Sequence, residues 1–245
     1  MAERRFYCES LAKGRIALPP DEAHHARNVV RLAKGDVVRL FDGQGREASA
    51  RVEAVSRDGV EVRIEQIESV DEGHRLLPIT IAVAMPKAGR QDVLIEKCTE
   101  LGARAIWPII TQRSVVRPRA GRVEHWKRIS IAAAKQAGRS YLPHILSPQP
   151  FDDVSPLVEK FDLAVFGSTD PQGPPLLSCL GAKTPADNVL VLIGPEGGLT
   201  QDEQAALTKA GAIPVGLGRC VLRVDTAAIT ALAVLAAWIE VGTRP

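Results

Sequence analysis

The chain has 245 residues, 45% of them hydrophobic and 24% charged, with a formal net charge of +2. That length suits one large domain or two modest ones, and the composition is that of a soluble globular protein with a real core. A net charge this small excludes any argument about partners from charge alone, so its distribution has to decide.

Cys8, Cys98, Cys179 and Cys220 are scattered, with no Cys-x-x-Cys or Cys/His pair at metal spacing. The expected reading is four reduced thiols in a cytoplasmic protein. No apolar core follows the N-terminal arginines, so no signal peptide is expected. The longest apolar run, Ala227 to Ile239, is too short to span a bilayer.

Up to about Ser69 the texture is that of a small β domain. Arg39 to Phe41, Ala48 to Val55 and Val60 to Ile67 read as short strands, separated by the turn signals Asp42-Gly43-Gln44-Gly45 and Arg57-Asp58-Gly59. Asp21 to Leu32 predicts one short helix with Asp21 as its cap. Arg4, Arg5, Arg27, Arg31 and Lys34 give this region a basic surface, which fits either plain solvation or nucleic-acid contact. His24 and His25 are adjacent on the helix and point in different directions, so no metal is expected. The polar stretch Val70 to Arg75 marks a boundary. It divides the chain into a small β-barrel-like domain at 1–72 and a second domain at 73–245.

From there strand and helix alternate, which predicts a parallel sheet. Ile79 to Met85 is a strand, Pro86 to Gln91 a basic turn, and Asp92 to Leu101 a helix capped by Asp92 and closed by Gly102. Ala105 to Ile110 comes next, with Pro108 signalling a bulge or an edge. Arg113, Arg117, Arg119 and Arg122 then crowd one loop, ahead of Lys127, Arg128, Lys135 and Arg139 on and after a helix, with Glu124 the one acid among them. Such a run favours contact with a polyanion over an ordinary solvated face. Arg139 stands after the helix-closing Gly138, placed either to serve the helix dipole or to project into a cleft. Tyr141 to Leu146 predicts a strand, Val154 to Lys160 a helix, and Leu163 to Phe166 a strand ending at Gly167.

The most ordered stretch is Asn188 to Val241. Val189 to Ile193 is a buried strand that empties into Gly194-Pro195-Glu196-Gly197-Gly198, whose main-chain groups are open to a ligand. Thr200 and Glu203 form a capping box for the next helix, which ends near Gly211. Ile213 to Leu217 is a strand, Gly218 to Asp225 a loop, and Thr226 is read as the cap of an almost wholly apolar last helix. The glycine loop lacks the lysine of a Walker A motif and the spacing of GxGxxG, and the chain has no Gly-x-Ser-x-Gly elbow and no HExxH.

Leu192 to Thr200 (LIGPEGGLT), Leu217-Gly218, Val221-Leu222-Arg223 and Asp225-Thr226-Ala227 resemble the knotted SPOUT methyltransferases. More narrowly, they resemble the family that methylates N3 of a uridine in 16S ribosomal RNA. Arg31 within His25 to Leu32, Phe41-Asp42-Gly43, Lys97 with Glu100-Leu101-Gly102, and Gly138-Arg139 extend the likeness along most of the chain. The family's commoner wording differs at Gly218-Arg219-Cys220 and at Val224-Asp225-Thr226-Ala227, where a glutamate more often stands in place of Asp225.

The resemblance implies an α/β chain with a PUA-like N-terminal β-barrel at 1–72 and a parallel-sheet SPOUT domain at 73–245 ending in a trefoil knot. It implies S-adenosylmethionine as cofactor, held by three loops around Phe166 and Gly167, around Ile193, Gly194, Glu196 and Gly197, and around Leu217, Gly218, Val221, Leu222 and Thr226. It implies 16S rRNA as substrate, within the small ribosomal subunit, a homodimer, and no metal. Arg31, Arg113, Arg117, Arg119 and Arg139 are the expected RNA contacts. Asp225 is the candidate proton acceptor and Arg223 the donor to a uracil oxygen, unless Asp225 only caps the last helix. Ribose 2′-O methylation, or a non-catalytic RNA-binding role in ribosome assembly, stays open beside this reading.

Overall fold

Alternating apolar residues build one sheet and continuous apolar runs another in the computed structural model, which describes residues 4–70, 76–87, 89–170, 173–181 and 186–243. Tertiary contacts group Met1–Arg75 with Ile131–Leu142 in one unit, and Leu76–Ser130 with Pro143–Pro245 in the other. Most of the predicted boundary segment, Asp71 to Arg75, lies outside the described residues, as do Pro171 and Gln172 of the loop after Gly167.

The first unit is a five-stranded sheet in the order β1-β3-β4-β5-β2. Its strands are β1 (Arg5–Tyr7), β2 (Gly14–Ala17), β3 (Val37–Phe41), β4 (Arg46–Val55) and β5 (Val60–Ser69). β1 pairs parallel to β3, and the remaining pairs are antiparallel. The helix α1 (Pro20–Asn28) differs from its predicted span. It begins at Pro20, whose fixed φ and missing N–H suit a first helical position, so Asp21 sits inside the first turn and does not cap it. It stops at Asn28 because the chain reverses just beyond, where Arg31 takes the left-handed φ of 57°.

The β3–β4 turn is set by two residue types. Asp42, buried to 1% exposure, accepts the amides of Gln44 and Arg46 through Oδ1 at 2.8 and 3.0 Å and the Arg46 Nε through Oδ2 at 2.6 Å. Gly45 has φ +90°, and a Cβ there would lie 2.0 Å from Cζ of Tyr141, so only glycine fits.

The helix α3 (Arg122–Ala137) contributes its second half to this unit. Gly138 closes it at φ +68°, and the Arg139 amide reaches back to the Ala134 carbonyl at 2.9 Å. Lys135 pairs with Glu22 at 2.8 Å, both side chains being largely buried, so this lysine of the basic run is a structural cation. Beyond the cap, Arg5 donates to Glu47 at 2.7 Å, to the Ser140 hydroxyl at 2.9 Å and to the Arg139 carbonyl at 3.2 Å, and the Ser140 hydroxyl donates to Glu47.

The second unit carries a seven-stranded sheet whose backbone order is β12-β10-β11-β6-β7-β8, with β9 also on β7. Every pairing in it is parallel. The strands are β6 (Leu77–Ala84), β7 (Ala103–Ile110), β8 (His144–Ile145), β9 (Gln149–Pro150), β10 (Leu163–Gly167), β11 (Val189–Ile193) and β12 (Ile213–Val215). Both faces are buried, and the residues alternate between them. Ile79, Ile81, Val83, Val165 and Val191 face one core, while Ala82, Ala84, Phe166, Leu190 and Leu192 face the other.

Helices α2 (Arg90–Glu100) and α7 (Val224–Thr243) contribute to the first core, and α4 (Phe151–Val154) and α6 (Gln201–Lys209) to the second; α5 (Leu176–Leu180) is a short helix on the first side. α2 starts from Gly89, so Asp92 lies in its first turn and is not the predicted cap. The segment predicted as one helix, Val154 to Lys160, is instead the end of α4 and then a 3-10 turn, Ser155–Lys160, because Pro156 lacks the N–H an α-helix interior needs. Pro108 is not on an edge strand. It sits in β7 where β8 pairs with Ala105–Ile106 and β9 with Ile109–Ile110, so the ladder on that side is interrupted at the proline. α7 is longer than the apolar run read from sequence, and Val224–Gly242 has the length and hydropathy of a membrane span. Ala228, Ala231, Leu232 and Leu235 nevertheless sit fully buried in the first core, which makes it a core helix.

The Arg5–Glu47 pair generates a pH prediction. Burial raises the Glu47 pKa and is the largest single influence. The Ser140 hydroxyl and the Arg5 and Arg39 guanidinium groups oppose it, and the net value lies below the ordinary carboxylate range. A depressed folded pKa contributes stability that is fully present above the ordinary glutamate value and is lost as pH falls through the folded value. Glu47→Gln should therefore destabilise the protein by about 2 kcal/mol at pH 7, since it replaces the charged acceptor of a nearly buried Arg5 by a neutral one. Urea melts of both proteins should converge as the pH is taken down through the folded pKa of Glu47.

Candidate functional site

The strands β10, β11 and β12 are adjacent and parallel, so their C-terminal ends open onto one side of the sheet. Ligands of open α/β sheets bind at such strand ends, because the loops leaving them present main-chain groups and adjustable side chains. Here the three loops beyond these strands enclose a cavity of about 620 Å³. The loop after β10 is tied to the one after β12: the Ser168 amide donates to Val215, and Gly216 exchanges bonds with Pro174 and Leu176, all at 2.9–3.0 Å. The loop after β11 closes on itself through the Gly198 amide to the Pro195 carbonyl at 2.8 Å, and its capping box (Thr200 with Glu203) is formed.

Most residues read from sequence as cofactor contacts line this cavity. From the first loop comes Gly167; from the second Ile193, Gly194 and Glu196; from the third Leu217, Gly218, Val221 and Leu222. Three do not line it. Phe166 turns its ring into the opposite core at 1% exposure, leaving only its backbone toward the loop. Gly197 points its vacant Cβ direction at the Arg113 side chain, 3.5 Å away, and not at the cavity. Thr226 is the third residue of α7; the helix begins at Val224, so Thr226 is not its cap. The residue before the helix is Arg223, whose carbonyl accepts the Ala227 amide at 2.7 Å.

The glycines differ in what they permit. A Cβ on Gly194 would lie 2.9 Å from Cγ of Leu199, so close packing keeps it glycine. A Cβ on Gly218 would meet nothing within 4 Å and points into open space beside the cavity.

Asp225 and Arg223 stand beside the cavity, which Leu222, Val224 and Ala227 line. Arg223 is exposed, and Asp225 is half-buried and faces α2, with Arg90 Nη1 3.9 Å from its Oδ1. That oxygen is buried and has no hydrogen-bond partner among the described residues. Arg90 is a site neighbour that sequence reasoning left as one charge in a basic turn; only tertiary structure brings it to Asp225. Ser168 and Thr169 also line the cavity, as does the exposed Cys220, one of the positions where the family wording differs.

The five arginines expected to meet RNA fall into both units. In the first, Arg31 is in its left-handed turn, and Arg139 is half-buried, with burial lowering its pKa. In the second, Arg117 and Arg119 lie on the segment before α3, while Arg113 donates to the Gly197 carbonyl at 2.9 Å. Arg122 donates to the buried Gln91 at 3.1 Å, which makes it part of the scaffold under α2.

Comparison with known proteins agrees with this geometry. A family model for the RNA methyltransferase domain matches residues 73–236, and one for the RNA methyltransferase PUA domain matches residues 18–65. The ribosomal RNA small subunit methyltransferase E of Synechocystis is 32% identical over 95% of this chain and 76% of its own. A methyltransferase from Legionella pneumophila, solved with bound SAM, superposes with a TM-score of 0.88 at 31% identity, over 97% of this chain and 98% of the other. A ribosomal RNA small subunit methyltransferase E from Neisseria gonorrhoeae, bound to S-adenosyl methionine, gives 0.83 at 29% identity, over 96% and 97%. With two thirds of its length in the RNA methyltransferase domain and likeness to such relatives from end to end, the chain belongs to the ribosomal RNA small subunit methyltransferase E family.

Proposed function

We propose that this protein transfers a methyl group from S-adenosylmethionine to N3 of a uridine in 16S ribosomal RNA within the small ribosomal subunit, acting as a cytoplasmic homodimer. The observation that carries the reading is the cavity at the ends of β10, β11 and β12, built from the loops that hold the family motif. Its volume is that of a small-molecule site, and its walls combine apolar side chains (Ile193, Leu217, Leu222) with backbone-rich turns and the carboxylate of Glu196. That mixture suits a ligand with a flat apolar ring, several hydroxyls and a cationic end. A trefoil knot through these loops belongs to the same proposal. The small β unit, proposed as the PUA-like domain at 1–72, and the segment with Arg117 and Arg119 would hold RNA. Val93 on α2 and Val241 on α7 are exposed apolar side chains of the kind a second copy would cover.

When bound, the cofactor supplies an electrophilic methyl group with its own leaving group, so positioning provides much of the rate. The chain has to manage the proton on N3 and the charge that develops on the uracil oxygens. Asp225, steadied by Arg90, is the proposed proton acceptor. The Arg223 guanidinium is the donor to a uracil oxygen.

Calorimetry with S-adenosylmethionine tests the cavity directly. Gly218→Leu puts a side chain into open space without a clash, so the protein should fold normally while its cofactor affinity drops by more than about tenfold. A folded variant with wild-type affinity would place the cofactor elsewhere.

Single-turnover methylation tests the chemistry. Asp225→Asn should slow the reaction by about a hundredfold or more, with melting temperature and cofactor binding maintained. A wild-type rate would leave Asp225 with no part in proton transfer. Product analysis that found a 2′-O-methylribose would replace the uracil reading altogether.

The arginine segment predicts a salt effect. Replacing Arg117 and Arg119 together should weaken RNA binding and flatten the slope of log K against log salt by about 1.4, from two lost phosphate contacts on single-stranded RNA. An unchanged slope would make these arginines a solvated loop.

A further inference from the structure

β7 ends at Ile110, and the chain then folds into a tight turn from Thr111 to Ser114. The Ser114 amide donates to the Thr111 carbonyl at 3.1 Å, the Thr111 amide donates to the Ser114 hydroxyl at 2.9 Å, and the two hydroxyls lie 2.9 Å apart. Thr111 is 2% exposed, so the base of the turn is fixed in the fold.

This turn is fastened to the glycine-rich loop at two points. The Gln112 amide donates to Glu203 Oε1 at 2.8 Å, while Oε2 of the same carboxylate receives the Thr200 amide at 2.8 Å. The capping-box glutamate, 8% exposed, is therefore shared between its own helix and a segment far away in sequence. At the second point, Arg113 Nη1 donates to the Gly197 carbonyl at 2.9 Å, and the arginine stem lies along the loop, with Cβ and Cδ 3.5 and 3.6 Å from the Cβ direction of Gly197. Glu196 and Gly198, on either side of Gly197, both line the cavity.

We infer that Arg113 is a positioning residue of the cofactor loop: its guanidinium fixes the peptide after Gly197 and so sets how Glu196 and Gly198 face the bound cofactor. The inference rests on the cofactor reading above and assigns Arg113 a role other than RNA contact. Arg117 and Arg119, on the same segment, keep that task. A carbonyl held by a charged donor is worth more than a neutral bond, although exposure reduces the gain.

The test compares the full chain with Arg113→Ala, Arg113→Lys and the Arg117→Ala/Arg119→Ala double variant, titrated with S-adenosylmethionine. Arg113→Ala should raise the cofactor Kd about five- to tenfold, with part of the affinity restored in Arg113→Lys. Its KM for cofactor should rise while kcat at saturating cofactor stays within about twofold, as expected for lost uniform binding. The double variant should bind cofactor as the wild type does. Hydrogen exchange across residues 195–199 without ligand gives an independent arm, and it should quicken in Arg113→Ala alone. If the wild type fails to bind S-adenosylmethionine, the cofactor reading falls, and the exchange arm still decides whether Arg113 holds the loop. Unchanged exchange in Arg113→Ala, or unchanged cofactor affinity with a loss of RNA affinity, would overturn the inference.

Discussion

Burial of both faces of the parallel sheet is the constraint on which the rest of the second unit depends. Strands covered on both sides carry apolar residues at every position, as Val189–Ile193 does without a break. Such a strand has no side chain to spare for chemistry, so polar and ligand-directed groups must come from the loop beyond its end. Three neighbouring strands run the same way, and their ends therefore lie together. A cavity floored by sheet and walled by three loops is then a consequence of topology more than of any one motif. The glycines there differ: Leu199 leaves a Cβ on Gly194 no room, whereas the space beside Gly218 is open.

Much of this was legible in the sequence because period and length agree for the central strands. β6, β7, β10 and β11 are apolar runs bounded by turn residues, and the capping box at Thr200 and Glu203 has a mechanism that needs only local sequence. β1 and β2 are not legible in this way, because three or four residues cannot establish an alternation. Helix starts shifted for a related reason. Asp21, Asp92 and Thr226 are good caps in isolation, yet they stand in first turns, where acidic side chains also serve the helix dipole. Pro20, Gly89 and Arg223 precede them and begin each helix earlier. The predicted strand from Tyr141 to Leu146 shrinks to His144–Ile145, because Tyr141 instead bridges to Gln44 within the first unit.

The site was legible as motif and illegible as geometry. Glycine-rich loops announce themselves, but nothing local says that Phe166 faces the opposite core while Gly167 lines the cavity. Alternation along β10 decides it, and only once the register of the sheet is known. Nor does sequence say that the Cβ direction of Gly197 faces the Arg113 side chain and not a ligand. Arg90 and Asp225 lie far apart in the chain, and their pairing depends on α2 and α7 sharing one face of the sheet.

The basic residues make the same point about charge. A run of arginines and lysines from Arg113 to Arg139 reads as one polyanion-binding stripe, because sequence shows charge without its partners. The fold sorts that stripe by neighbour. Lys135 neutralises Glu22 against the ring of Phe6, Arg122 reaches Gln91, and Arg113 reaches the Gly197 carbonyl. Each of these cations is held by a particular acceptor, and a phosphate would have to compete with that acceptor. A phosphate reaching a solvated arginine displaces water and counterions alone, which is the contact assigned to Arg117 and Arg119. Counterion release rewards the second kind of contact and not the first. On the proposed reading, the attraction for RNA rests on fewer side chains than the sequence count suggests, while Arg113 holds a loop beside the cavity and Arg122 and Lys135 serve the scaffold.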